Sequence, residues 1–184
     1  AARRVFAAIV AVLLAALAAW PLAWAPHLYG AALLALAAWL LKQDIARRTV
    51  RQQGLTRFIA LCLLSGYFWL AVGGAVIAIT GLAPGTPAYD AALHALLLGF
   101  VFSMVFGHAP IIFPAVLRVA VPYRPRFYVP LALLHASLLL RLTGDAAGLA
   151  DPTRWGALLS ALALLAFIVG TASAAIGART RAEQ

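Results

Sequence analysis

Charge is scarce in this chain, acidic charge most of all: its 184 residues include 5 Asp and Glu against 14 Lys and Arg, and charged residues make up only 10%. A soluble domain needs roughly 25% charge to cover itself, so most of this surface must face something other than water. Sulfur is equally scarce. The only cysteine, Cys62, lies in an apolar run, which excludes an internal disulfide, a C-x-x-C redox pair and covalent haem attachment through C-x-x-C-H. No carboxylate or lysine stands at the middle of an apolar segment, which argues against a proton pump or an ion-coupled transporter. The lack of a clear inverted repeat weighs the same way.

What the chain has is apolar length: 65% hydrophobic residues and a mean hydropathy of +0.99. At about 20 residues per crossing, the sequence reads as an all-α polytopic membrane protein. About six transmembrane helices form one bundle domain over residues 1–184, with no room for a separate soluble domain. The expected segments are Val5–Trp24, Leu28–Leu41, Phe58–Thr80, Tyr89–Val121, a fifth from R-P-R-F-Y-V-P to Leu140 or beyond, and Trp155–Ala175. Arg3 and Arg4 before the first segment imitate a signal peptide, but no persuasive cleavage site precedes the second, so the segment reads as a retained helix. The fourth is too long for one crossing, since 33 residues cover about 50 Å at ~1.5 Å each. Pro110 and Pro114 are therefore expected to kink or divide it.

The basic residues test this map. Arg3, Arg4, Lys42, Arg47, Arg48, Arg51, Arg57, Arg118, Arg124, Arg126, Arg179 and Arg181 fall on one side of six alternating crossings, leaving Arg141 and Arg154 on the other. Such sorting expects both termini in the cytoplasm of a bacterial inner membrane and outweighs a nucleic-acid reading of the +9 net charge. Asp90, at a helix start, reads as an N-terminal cap. Gly66, Gly73, Gly74, Gly99 and Gly107 read as close-packing positions, since small residues let backbones approach in lipid.

Chemistry is left to four histidines, His27, His94, His108 and His135, all in or beside apolar segments. A buried imidazole needs partners for its nitrogens, and metal ligation is one way to occupy them. An interhelical hydrogen bond is the plainer alternative, and for His27, beside a proline in an expected loop, an interfacial position suffices. On a straight helix, His94 and His108 fall within ~40° of one face and ~21 Å apart. One helix would thus offer an imidazole to each of two stacked haems, as in bis-haem membrane cytochromes of the b type. Depth pairs His27 with His94 and His108 with His135, or else joins His94 and His135 at a single haem. Phe100, Phe102, Phe106 and Phe113 would line the slot, Met104 offers a weak ligand, and Arg141, Arg154, Arg124 and Arg126 are candidates for propionates. A copper or zinc centre fits less well, because the ~21 Å separation keeps His94 and His108 out of one compact site.

From His94 to Pro110 the chain reads H-A-L-L-L-G-F-V-F-S-M-V-F-G-H-A-P. Its opening, with His94, Gly99 and Phe100 in place, resembles the haem-containing NnrS family of bacterial membrane proteins over about one helix. The resemblance implies haem and copper binding, a link to nitric oxide metabolism, and His94 as a haem ligand. The leading expectation is therefore a membrane protein with one or two haems b, serving electron transfer or redox chemistry on quinol or a small diatomic ligand. It would work as a homo-dimer or within a larger membrane complex. The alternative is a cofactor-free permease, a metal-handling protein or a structural subunit.

Overall fold

The computed structural model describes residues 1–117 and 121–182, and every regular element among them is helical. In chain order these are α1 (Ala2–Ala18), α2 (Ala25–Gln43), a short α3 (Ala46–Thr49), α4 (Gly54–Thr80), α5 (Pro87–His94), a π-helical turn (Ala95–Val101), α6 (Phe102–Leu117), a 3-10 turn (Pro125–Phe127), α7 (Tyr128–Ala147) and α8 (Ala150–Ala182). Five stretches are long and apolar enough to cross a membrane: Ala25–Gln43, Gly54–Thr80, Pro87–Val116, Pro125–Ala147 and Ala150–Ala178. Helix α1, with 17 residues, stands at the lower length limit for a sixth.

Helix ends follow local chemistry. Gly81, at φ 71°, stops α4, and Gly148, in the left-handed region at φ 66°, ends α7 while the Leu149 N–H bonds the Gly144 carbonyl at 2.9 Å. Thr86 caps α5, its Oγ1 accepting from the Tyr89 N–H at 3.2 Å, with Pro87 in the first turn. This corrects the expectation for Asp90: one turn into the helix, its carboxylate is drawn across to α7. His27 is likewise not in a loop. Pro26 occupies the first turn of α2, where its missing N–H costs nothing, so the helix starts before the histidine.

The fourth segment is not divided at its prolines. Helix runs unbroken through α5, the π turn and α6, with Pro110 and Pro114 both inside α6. The irregularity comes earlier, at Ala95–Val101. A π turn takes in an extra residue, about 100° of helical phase, so His94 and His108 do not share the face a straight helix would give them.

The long helices alternate in direction. Trp39 near the end of α2 donates to the Ala2 carbonyl at the start of α1 (3.3 Å), and His27 at the start of α2 meets Ala78 at the end of α4. Cys62 lies by Gly107 and Gly73 by Leu96, Asp90 binds Arg141 and Ser137 meets Ser160. The N-terminus, the α2–α4 connection, the start of α7 and the end of α8 thus share one end, and Arg141 and Arg154 sit at the other. Arg118 lies outside the described residues.

Glycine makes these contacts close, as the sequence leads one to expect. A Cβ on Gly30 would overlap the backbone of Ala78, and one on Gly74 would press on the backbone of Leu34. Gly66 makes room for the methyl end of Met104, Gly73 for Leu96 and Gly99 for the Trp69 indole, while Gly144 and Gly156 do the same between α7 and α8. Inside, Phe58, Phe106 and Phe127 are fully buried and Phe106 stacks on Phe167 at 3.9 Å. Outside, Leu14, Ile79, Val116, Val129, Ile168 and Ile176 are all at least 60% exposed, an apolar surface far beyond what a soluble monomer tolerates.

Candidate functional site

Three of the four histidines are held in the same way. His94 Nδ1 lies 2.8 Å from the Asp90 carbonyl, His108 Nδ1 2.7 Å from the Met104 carbonyl, and His27 Nδ1 2.9 Å from the Ala78 carbonyl. A carbonyl oxygen only accepts, so each Nδ1 carries the proton and donates. In the neutral ring this leaves the lone pair on Nε2, the form in which imidazole binds a metal. For His94 and His108 the acceptor is four residues back on the same helix, so the helix itself fixes the ring.

His135 is held the other way round. The Trp69 indole N–H, which is donor only, donates to His135 Nδ1 at 2.9 Å, and the two rings stack with 21° between their planes. Nδ1 therefore accepts, and the proton resides on Nε2, a buried atom with no partner among the described residues. The π turn builds this corner: it carries Gly99, whose missing side chain admits Trp69, and the Ser103 hydroxyl takes up the Gly99 carbonyl at 2.6 Å. As placed, His135 offers an N–H to whatever approaches Nε2, where the other three offer a lone pair.

No hydrogen bond or ring contact joins any two of the four histidines among the described residues. Gly107, next to His108, packs at Cys62, seven residues below Trp69 on α4, which separates His108 from His135 by about 10 Å in depth. Nor do three or more His, Cys, Asp or Glu side chains among the described residues gather as a metal cluster.

An ion network beside His94 has no signal in the local sequence. Arg141 donates from both Nε (3.2 Å) and Nη2 (2.7 Å) to Asp90 Oδ2, while Asp90 Oδ1 lies 3.4 Å from His94 Nδ1. Asp145 stands 3.9 Å from the same guanidinium, and its other oxygen accepts from Thr153 Oγ1 at 2.9 Å. Arg141 is thus committed to two carboxylates of the protein. A cavity of about 640 Å3 opens beside them, lined by Asp90, Asp145, Thr153 and Arg154 among others. Arg141→Ala would leave both carboxylates without their cation. The expected cost is ~2 kcal/mol, below that of breaking a fully buried pair because Asp90 is 40% exposed, and thermal unfolding in detergent would register it.

The other supporting residues divide. Met104 packs over Gly66, Phe106 is spent on Phe167, and Arg126 donates to Ser173 Oγ at 3.0 Å. Phe113, with Phe167 and Thr171, lines a separate apolar cavity of about 320 Å3.

Fold and site together define an all-helical protein whose apolar helices carry ring-locked histidines and little other chemistry. The chain belongs to the family described as Domain of unknown function (DUF8744), whose model matches residues 1–176. No curated protein and no solved structure matches it.

Proposed function

We propose that this is an integral protein of the bacterial cytoplasmic membrane that binds haem b through His94 Nε2. It would serve single-electron transfer, with quinol as a fitting donor, or act on a small diatomic ligand. The observation that carries the reading is the Nδ1–H bond of His94 to the Asp90 carbonyl, which fixes the tautomer and ring plane that axial ligation requires. His108 carries the same lock, and a second haem on it would lie deeper along the helix. His27 is equally prepared at the start of α2.

His135 enters the proposal in a changed role. With Nδ1 taken by Trp69, it would donate a hydrogen bond from Nε2 to a ligand instead of filling an axial position, and such donors decide what a haem pocket does with its sixth ligand. When bound, haem would supply the one-electron couple. The protein's part is to present the nitrogen, keep water out with the Trp69 and Leu134 surroundings, and hold Asp90 against Arg141 so that the His94 helix stays in register.

Apolar helices, positive charge gathered at one end and an apolar exterior support the membrane placement with both termini cytoplasmic. A reduced-minus-oxidised spectrum of the purified protein tests the reading. A Soret band with sharp α bands is expected for low-spin iron with two axial histidines, and a broad, ligand-sensitive spectrum for an open position. A colourless protein from haem-sufficient cells would favour a cofactor-free permease, metal-handling protein or structural subunit.

A further inference from the structure

At the arginine-rich end of the molecule, the connection between α2 and α4 folds round an open basic pocket. A cavity of about 640 Å3 is lined by Lys42, Gln43, Asp44, Ile45, Arg47, Arg48 and Arg51. Its one carboxylate is already engaged: Asp44 Oδ1 accepts from the Ala46 N–H at 2.7 Å, and Oδ2 accepts from the Tyr67 hydroxyl, which reaches down from the middle of α4. Asp44 therefore fixes the turn and ties it to α4, and makes no ion pair with its neighbours among the described residues. Lys42, Arg47, Arg48 and Arg51 make no ion pair among the described residues, which leaves four cations against one occupied carboxylate. Ala46 is fully buried and pins the short α3 to the bundle, while the Ile45 side chain beside it is 65% exposed.

We propose that this pocket binds the phosphate headgroup of an anionic phospholipid. The chemistry it selects is a phosphate ester, since guanidinium groups meet phosphate oxygens in pairs. The exposed Ile45 among the lining residues and the closing end of an apolar helix favour lipid over free phosphate, because a lipid brings an apolar chain as well as a phosphate. Orientation in the membrane needs only the sum of positive charge in this connection. It does not need the cations gathered round one open pocket whose carboxylate is held by the turn and by Tyr67.

The test uses the full chain in detergent, with retained lipid counted by native mass spectrometry after adding phosphatidylglycerol or phosphatidylcholine. Phosphatidylglycerol is expected to be held at least ten-fold more tightly. Arg47→Gln with Arg48→Gln should remove most of that preference, at about five-fold for each cation, whereas Arg47→Lys with Arg48→Lys should keep the larger part. Lys42, Arg51 and Arg57 remain in the double variant to direct insertion, and Lys42→Gln alone carries the same five-fold expectation if that variant fails to fold. Equal retention of the two lipids by the unaltered protein would overturn the proposal. So would an unchanged preference in the glutamine variants, or displacement of phosphatidylglycerol by millimolar inorganic phosphate, which would make the site one for the free anion.

Discussion

His94→Ala is expected to remove at least one haem per chain and its α band, while His135→Ala leaves haem content in place. Both imidazoles are half-buried, but His94 stands beside the Asp90–Arg141 pair and His135 against the Trp69 indole. Their tautomers differ accordingly. His94 donates from Nδ1 to a main-chain carbonyl and holds a lone pair at Nε2, whereas His135 accepts at Nδ1 from Trp69 and holds a proton at Nε2. Loss of His135 should instead strand the Trp69 N–H, at about 1–3 kcal/mol of stability, and alter the binding of carbon monoxide or nitric oxide to the reduced protein. His108→Ala, measured by pyridine haemochrome against protein mass, reports whether a second haem follows the second lock. Loss of haem from His135→Ala with full retention in His94→Ala would reverse the assignment of roles.

Gly30→Ala is expected to be among the most damaging single-methyl changes in the protein. The added Cβ would meet the amide nitrogen and Cα of Ala78 and the Gly74 carbonyl, which are backbone atoms of a regular helix and cannot swing aside as a side chain can. Overpacking of this kind costs about 1–3 kcal/mol, and the rigidity of the obstacle puts this site at the upper end. Gly170→Ala, on α8, is the control, because a Cβ there meets nothing within 4 Å. Alanine should be neutral there or stabilise by up to ~1 kcal/mol through helix propensity. Thermal aggregation followed by fluorescence-detected gel filtration separates the two. Equal melting temperatures for both variants would show that close approach of α2 and α4 is not what the glycines secure.

The helices were legible because hydropathy is a local property, and the contacts between them were half legible because glycine marks close approach whatever its partner. Boundaries failed where one residue type has two uses. Pro26 reads as a breaker but serves as a first-turn residue, and Asp90 stands where caps occur, although Thr-Pro four residues earlier was the better capping signal. Pro110 and Pro114 were expected to kink or divide the segment, and the helix is not divided at either. The π turn at Ala95–Val101 is composed of apolar residues and one glycine, so nothing in its sequence distinguishes it from an α-helical turn. It nevertheless changes the phase between His94 and His108.

The candidate site divides along the same line. That four histidines carry the chemistry-bearing groups was readable from composition. Which nitrogen each presents was not, because the partners are a carbonyl four residues back for His94 and His108 but an indole 66 residues away for His135. The Asp90–Arg141 pair spans 51 residues and draws Arg141 away from the propionate role its position invites. Long-range pairs of this kind leave no local pattern, and only the packing of α5 on α7 brings them together.

Quantitation of haem b against protein mass in the purified, full-length chain from haem-supplied cells bears most directly on the function proposed. One or two haems b per chain is the expected result, with a Soret band that shifts on reduction. A colourless preparation, folded by its thermal transition and free of haem and metal, would contradict it.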